Sequence, residues 1–190
     1  MWTPWSEPGL ELLHLLEQDG NVLVDSVIIG VSNRTPFRLR YEMMCDSDWR
    51  VKELSLALLS AKGKSIKLQT DVQGHWTTNT GDPVSSLEAC IDVDISATPF
   101  TNTLPIRRLA LKPGQSAELL VAYVVIPEME LRSDRQRYTC LAWNAGGGLY
   151  RYEGLASGFS AELQVDSDGL VIDYQGLFKS VWRSAGIEKS

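Results

Sequence analysis

Two carboxylates, one amide and two guanidinium groups lie close together in the segment from Cys90 to Leu109: Asp92, Asp94, Asn102, Arg107 and Arg108. The two aspartates alternate with apolar residues, so a β-strand here would place both carboxylates on one face. Two neighbouring carboxylates repel each other unless a cation neutralises them. The fork of an arginine binds a carboxylate through two hydrogen bonds, so Arg107 or Arg108 is expected to fold back onto this face.

Three roles are open for this cluster. As a structural brace, the aspartates would hold the loop Thr98–Pro105 through Asn102 and one arginine. As a ligand anchor, Asn102 and the two arginines would meet a sugar or phosphate headgroup at the mouth of an apolar hollow. As a catalytic or metal-binding pair, Asp92 and Asp94 would need a further partner, because two carboxylates so close together in sequence share too similar an environment to keep different pKa values.

Four aromatic residues are candidates to complete a ligand site by stacking on a sugar: Tyr41, Trp76, Tyr150 and Tyr152. Tyr150 and Tyr152 are spaced to share one face of a strand, so both line a hollow or both miss it. Aromatic residues at strand spacing also occur in ordinary β cores, where their large apolar area stabilises the sheet. Each of the four residues is therefore a candidate both for stacking on a sugar and for packing in the core.

The sequence contains none of the common catalytic or metal-binding patterns. G-x-S-x-G, H-E-x-x-H and a phosphate loop are missing, and the two histidines and three cysteines lack the spacing of a zinc site. The turn 166–169 begins like a calcium loop, but Leu177 stands where that loop requires glutamate. We therefore expect no catalytic residue, no metal and no cofactor, with Cys45, Cys90 and Cys140 as reduced core residues.

Alternating apolar and polar residues predict many short strands. The pattern is clear in Phe37–Met43, Ile66–Val72 and Phe159–Val165, whereas the β-branched run Leu119–Ile126 is apolar on both faces and predicts a covered central strand. Turns rich in Gly, Pro, Asn and Asp separate about eleven such segments, which is typical of an antiparallel meander. A single sheet of that length must curl, split or close to hide its apolar side and its edges.

Length and charge limit the function classes. The chain has 190 residues, which fits one domain over residues 1–190, with a core from about residue 10 to 182 and short tails at both ends. A net charge of −6 disfavours nucleic acid as a partner. No secretory signal and no apolar run long enough to span a bilayer are visible, so we expect a cytoplasmic protein that does not cross a membrane.

Several segments in collinear order resemble a bacterial family of glycolipid-binding proteins. Besides Cys90–Leu109 they are Arg38–Arg50, Gln136–Thr139, Tyr150–Glu153 and Asp168–Phe178, so the likeness extends from about Leu10 to Trp182. The family implies an all-β fold with minimal helix: a single long coiled antiparallel sheet, or spiral β-roll, similar in outline to the half-barrels of lipoprotein carriers. It also implies binding of a glycolipid and brings no catalytic signature.

The resulting hypothesis is a protein that holds the apolar chain of a glycolipid or other amphiphile in the concave side of a curled sheet, below a charged rim. Two alternatives differ in class. The first is a structural or interaction protein that uses its sheet edge to dimerise, so that the chain is a monomer or a homodimer. The second is an enzyme that uses Asp92 and Asp94 with Arg107 or Arg108.

Overall fold

A computed structural model describes residues 1–60, 63–184 and 187–189 of the chain. The turn that the sequence predicts at residues 61–64 lies partly outside these ranges. The strands of the first half are β1 (Trp2–Pro4), β2 (Gly9–Gln18), β3 (Asn21–Ser32), β4 (Thr35–Asp46), β5 (Val51–Leu58), β6 (Ser65–Thr70) and β7 (Trp76–Thr78). The second half contains β8 (Asp92–Ile95), β9 (Ser116–Val125), β10 (Glu130–Asn144), β11 (Gly147–Gly154), β12 (Phe159–Asp166), β13 (Val171–Tyr174), β14 (Phe178–Ser180) and β15 (Glu188–Lys189). One α-helix, α1 (Thr103–Leu109), and two 3₁₀ turns, Ser85–Leu87 and Phe100–Asn102, complete the described elements.

The described strands form a single open sheet, which confirms the predicted all-β fold with minimal helix. Two meanders, β1 to β7 and β8 to β14, lie side by side because β1 pairs with β14. The outer strands of the sheet are therefore β7 and β8, which follow each other in the chain. The short strand β15 lies parallel to β2. This order places both ends of the chain in the middle of the sheet.

We call the β1 to β14 pairing the seam. It consists of Trp2 opposite Ser180, Thr3 opposite Lys179 and Pro4 opposite Phe178. The Trp2 indole is buried and donates a hydrogen bond of 2.6 Å to the carbonyl oxygen of Val171. The sequence predicts a tail before residue 10, but the first residues supply the strand that joins the two halves. A run this short, containing Pro4, gives little strand signal of its own.

The two faces of the first meander differ as alternation requires. In β4 the side chains of Leu39, Tyr41 and Met43 are buried, while those of Arg38 and Arg40 point to solvent. The sequence suggests that β3 is apolar on both faces because of its run of aliphatic residues. The structure covers only one face and leaves its outer residues exposed: Val27 at 39% and Ile29 at 50%.

Strands β8 and β9 are covered on both sides, as the sequence predicts for Leu119–Ile126. Ala122 and Val124 pack into the core of the first meander, whereas Leu119 packs against the second core, which lies on the opposite face. The two strands run parallel, in contrast to the antiparallel pairing predicted throughout. A parallel pair needs a long crossover, and here the segment between β8 and β9 contains α1.

The segment predicted to be a loop before the arginines is largely helical. Phe100–Asn102 forms a 3₁₀ turn that continues into α1, so Arg107 and Arg108 are helical residues. Two prolines favour a loop in the sequence, but Pro105 lies in the first turn of α1, where a missing backbone N–H breaks no helical hydrogen bond. The helix packs through Ile106 into the second core.

Candidate functional site

A groove of about 410 Å³ opens beside the seam, and we call it the apolar groove. Its walls come from β1, β2, β3, the start of β4 and the turns that follow β8, β9 and β13, so they join both halves of the sheet. Most of the residues that line it are apolar: Trp2, Pro4, Leu10, Ile28, Ile29, Val31, Phe37, Ala97, Val125, Ile126, Leu177 and Phe178. Two carboxylates, Glu7 and Glu128, lie among the remaining lining residues.

Glu11 also lines the apolar groove, and it is only 3% exposed. Its carboxylate accepts hydrogen bonds from the hydroxyls of Ser26 at 2.8 Å, Tyr41 at 2.7 Å and Thr98 at 2.6 Å. Burial raises the pKa of Glu11, and the three hydroxyl donors oppose that shift. All the donors bonded to this carboxylate in the described structure are neutral, so the protonated form is favoured by comparison with a carboxyl in water.

A second cavity of about 560 Å³ adjoins the apolar groove, and we call it the polar pocket. The two cavities share Ser96, Leu177 and Phe178 as lining residues. Polar and aromatic side chains dominate the rest of its wall: Asp94, Thr98, Asn102, Tyr123, Arg132, Ser133, Asp134, Tyr152, Ser157, Phe159 and Tyr174. The combined site thus has an apolar part and a polar part that meet at the seam.

Asp94 is the best-defined acceptor of the polar pocket. Its carboxylate receives a hydrogen bond of 2.6 Å from the Gln136 side-chain amide and one of 3.3 Å from the Thr101 hydroxyl. Burial raises the pKa of Asp94 to about 6, the two hydrogen bonds lower it, and the charge of Asp134 raises it further. Gln136 is fully buried, and its side-chain oxygen has no hydrogen-bond partner among the described residues. Asp94 lines the polar pocket and has acceptor positions left, whereas the Gln136 oxygen is buried behind it and does not line the cavity.

Aromatic rings form a continuous wall next to these acceptors. The Tyr152 ring contacts those of Phe159 and Tyr174 at centroid distances of 6.1 and 6.0 Å, and Tyr174 contacts Phe178 at 6.4 Å. On the other side of Asp94, the Arg132 guanidinium lies 5.2 Å from the centre of the Tyr123 ring. Aromatic rings beside a carboxylate are suited to a ligand that has both C–H groups and hydroxyl groups.

Asp92 and Arg108 form a brace. Arg108 binds both oxygens of Asp92 at 3.0 and 2.6 Å, and the Asp92 side chain is 1% exposed. Burial raises the pKa of Asp92, and the guanidinium opposes the shift. The pair joins β8 to α1, so Arg108 supplies the guanidinium fork that the sequence predicts for the aspartates.

Arg107 points away from both aspartates, and its guanidinium lies 4.8 Å from the centre of the Trp49 ring. Asn102 is buried against Tyr138, which donates to its side-chain oxygen at 2.7 Å, and it also lines the polar pocket. The five residues of the cluster predicted in Cys90–Leu109 therefore lie in two separate parts of the structure. Asp94 and Asn102 face the polar pocket, whereas Asp92, Arg107 and Arg108 hold α1 against the rest of the protein.

The four aromatic residues predicted to stack on a sugar lie in three different places. Tyr152 lines the polar pocket. Tyr41 and Trp76 are buried in the first core, where Tyr41 donates to Glu11 and the Trp76 indole donates to the carbonyl oxygen of Cys90 at 2.7 Å. Tyr150 belongs to the second core and contacts Trp143 near the end of α1. Tyr150 and Tyr152 do share one face of β11, but only Tyr152 reaches the polar pocket.

Sequence reasoning missed Glu11, Gln136 and the apolar groove. Glu11 lies in Leu10–Leu16, where apolar residues occupy both faces of the strand and hide which face points inward. Gln136 follows alternating charged residues and resembles an exposed position. The groove depends on the seam, which joins segments from opposite ends of the chain. No short sequence window contains that information.

The cysteines, the acidic side chains and the helix of the described ranges bear on other kinds of site. No group of three or more His, Cys, Asp or Glu side chains in these ranges is arranged to hold a metal ion. Cys45, Cys90 and Cys140 are free and buried, and burial raises the pKa of the Cys90 thiol to about 11. Within the same residues, no helix has the length and apolar character needed to cross a bilayer.

Comparisons with known proteins agree with the fold. The chain is similar to a solved structure, a DUF1089 family protein from Pseudomonas aeruginosa, with 38% sequence identity and a TM-score of 0.82 over 91% of this chain and 92% of that one. No curated protein matches the sequence. The family model described as "Putative glycolipid-binding" matches residues 1–180. The chain therefore belongs to the family that this model describes.

Proposed function

We propose that the protein binds a glycolipid or a similar amphiphile with its apolar chain in the apolar groove and its polar end toward the polar pocket. The observation that carries this proposal is the junction of the two cavities at Ser96, Leu177 and Phe178. An amphiphile has the same two parts joined at one point. The family membership supports the same ligand class.

The location of the groove refines the sequence hypothesis. The concave side of the first meander is filled by its own residues, including Tyr41, Leu56 and Trp76, each at most 2% exposed. The apolar groove lies instead beside the seam, next to the short strands β1 and β14. A ligand chain would thus lie between the two halves of the sheet and contact both of them.

The free energy of chain burial is sufficient for specific binding. Each methylene that leaves water for an apolar wall contributes about 0.8 kcal/mol. Burial of about eight methylenes therefore returns roughly 6 kcal/mol before any contact with the headgroup. Part of this gain offsets the loss of ligand freedom on binding.

A series of n-alkyl β-glucosides with increasing chain length tests the proposal. Below the concentration at which these compounds aggregate, each added methylene should tighten binding by about fourfold until the groove is full. Isothermal titration calorimetry measures the affinities. An affinity that does not change with chain length would contradict the proposal.

A variant that fills the groove provides the matched test. Ala97 lines the apolar groove, so the ring of Ala97→Phe should occupy ligand space and weaken the longest glucosides most. Ala57→Phe adds the same ring on the outer face of β5, beside Arg40, and should leave binding unchanged. Equal effects of the two substitutions would show that the groove is not the binding site.

A further inference from the structure

The polar pocket calls for a ligand rich in hydrogen-bond donors. An ionised carboxylate has about four acceptor positions, and Asp94 uses two of them with Gln136 and Thr101. Hydroxyl groups of a ligand can donate to such acceptors, whereas a phosphate or sulfate group brings mainly further acceptors.

The charges around both cavities disfavour an anionic headgroup. Asp94 and Asp134 line the polar pocket, and Glu7, Glu11 and Glu128 line the adjoining groove. Among the described lining residues, Arg132 is the one guanidinium or ammonium group, and it lies against the Tyr123 ring. A phosphate in the polar pocket would approach two carboxylates in a site where charges are poorly screened.

The aromatic wall suits the apolar faces of a sugar ring. The face of an aromatic ring is electron-rich and attracts the weakly positive C–H groups of a pyranose, and among Tyr152, Phe159 and Tyr174 the most exposed ring is that of Phe159, at 40%. These rings line the same cavity as Asp94. One side of a sugar can therefore pack on the rings while its hydroxyls donate to the carboxylate. The cavity of about 560 Å³ has room for a headgroup of this size.

We propose that the polar pocket binds an uncharged sugar headgroup through hydroxyl donors to Asp94 and rejects headgroups that carry phosphate or sulfate. This inference rests on the proposed function, because it assigns the polar end of the same amphiphile. It adds the chemical class of that polar end and the residue that selects it.

Three probes with the same octyl chain test this selection at pH 7.5: n-octyl β-glucoside, n-octyl phosphate and n-octanol. Calorimetry should show the glucoside binding at least tenfold more tightly than the phosphate. Asp94→Asn should weaken the glucoside by about tenfold, because a charge-assisted hydrogen bond is lost, and should leave octanol unchanged. Asp25→Asn, on the exposed outer face, is the matched control and should change none of the three affinities.

A second variant keeps the test decisive if Asp94→Asn does not fold. Ala156 is exposed and lines the polar pocket, so Ala156→Trp should remove the preference for the glucoside without affecting octanol. Octyl phosphate binding as tightly as the glucoside, or a glucoside affinity unchanged in both variants, would overturn the sugar assignment alone. Failure of all three octyl compounds to bind would overturn the groove proposal and this assignment with it.

Discussion

Asp92 and Asp94 occupy neighbouring positions on one face of β8 but have different surroundings. Asp92 is fully paired with a guanidinium that neutralises its charge. Asp94 receives hydrogen bonds from neutral donors and faces a cavity. A buried carboxylate that is paired with a guanidinium and lines no proposed binding cavity suits a structural brace. A carboxylate that lines a pocket and has no cationic partner suits ligand binding. The brace alternative therefore fits Asp92, whereas the ligand contact that we propose falls to Asp94.

The effect of Asp94→Asn on the free energy of unfolding should depend on pH. The pKa of Asp94 is about 6 in the folded protein against the ordinary 3.8, so the folded state favours the protonated form. The stabilisation of the folded state that results from this raised pKa is fully present below pH 3.8 and is lost as pH rises through 6. Its loss lowers the free energy of unfolding by up to about 3 kcal/mol. Urea unfolding should therefore show the variant gaining stability relative to the unsubstituted protein between pH 4 and pH 8.

The same variant should lose affinity for the glucoside, so stability at pH 8 and binding should change in opposite directions. Such a trade-off is typical of residues kept for function rather than for folding. If the free energies of unfolding of Asp94→Asn and the unsubstituted protein differ by the same amount at pH 4 and at pH 8, the pKa of Asp94 is not raised.

Asp92→Ala, unlike Asp94→Asn, should destabilise the protein at neutral pH. It leaves the Arg108 guanidinium, whose side chain is 16% exposed, without its carboxylate, and breaking such a buried pair costs about 3 kcal/mol or more. Asp25→Ala is the matched control, because the Arg40 to Asp25 pair has side chains 48% and 51% exposed and should cost less than about 1 kcal/mol. Denaturant unfolding at pH 7 measures both. A loss in Asp92→Ala no larger than in the control would remove Asp92 from its role as a brace.

At the scale of elements, alternation predicted the strands that have one wet face. Phe37–Met43 and Phe159–Val165 lie within β4 and β12, and Leu119–Ile126 overlaps the covered strand β9. These predictions succeed because the side-chain period of a strand is local and depends on adjacent residues alone. The same local information indicated that Asp92 and Asp94 share a face.

The elements that sequence reasoning missed are those defined by distant contacts. The strand β1 exists because β14 and β2 pair with it, and α1 exists because the second core receives Ile106. Neither segment has a strong pattern of its own, so tertiary contacts decide its conformation. The apolar groove lies between β1 and segments far away in the chain. For that reason the sequence predicted the ligand class through family resemblance but not the position of the chain-binding site.

At the scale of the whole molecule, the sheet is narrow at the seam and on both sides of it: β1 pairs with β14 at three positions and with β2 at one, and β13 pairs with β14 at two. The core of the first meander also contains residues of β8 and β9, but along the sheet itself the two meanders are joined by three residue pairs between β1 and β14. By contrast, β3 and β4 pair over their entire lengths. Local opening occurs where few contacts must break, so the amides of β1, β13 and β14 should exchange faster with solvent than those of β3 and β4. Both proposed binding cavities lie at this weak region.

Ligand binding should therefore protect the seam before any other part of the protein. A ligand that binds only the folded state stabilises it by about 2.7 kcal/mol at 100 times its dissociation constant. Because the proposed chain contacts both sides of the seam, n-octyl β-glucoside should slow hydrogen exchange most in β1, β13 and β14. The edge strands β6 and β7 should change least, and Ala97→Phe should abolish the effect while Ala57→Phe retains it. Protection concentrated in β5 to β7 would place the ligand in the first meander and contradict a binding site between the two halves of the sheet.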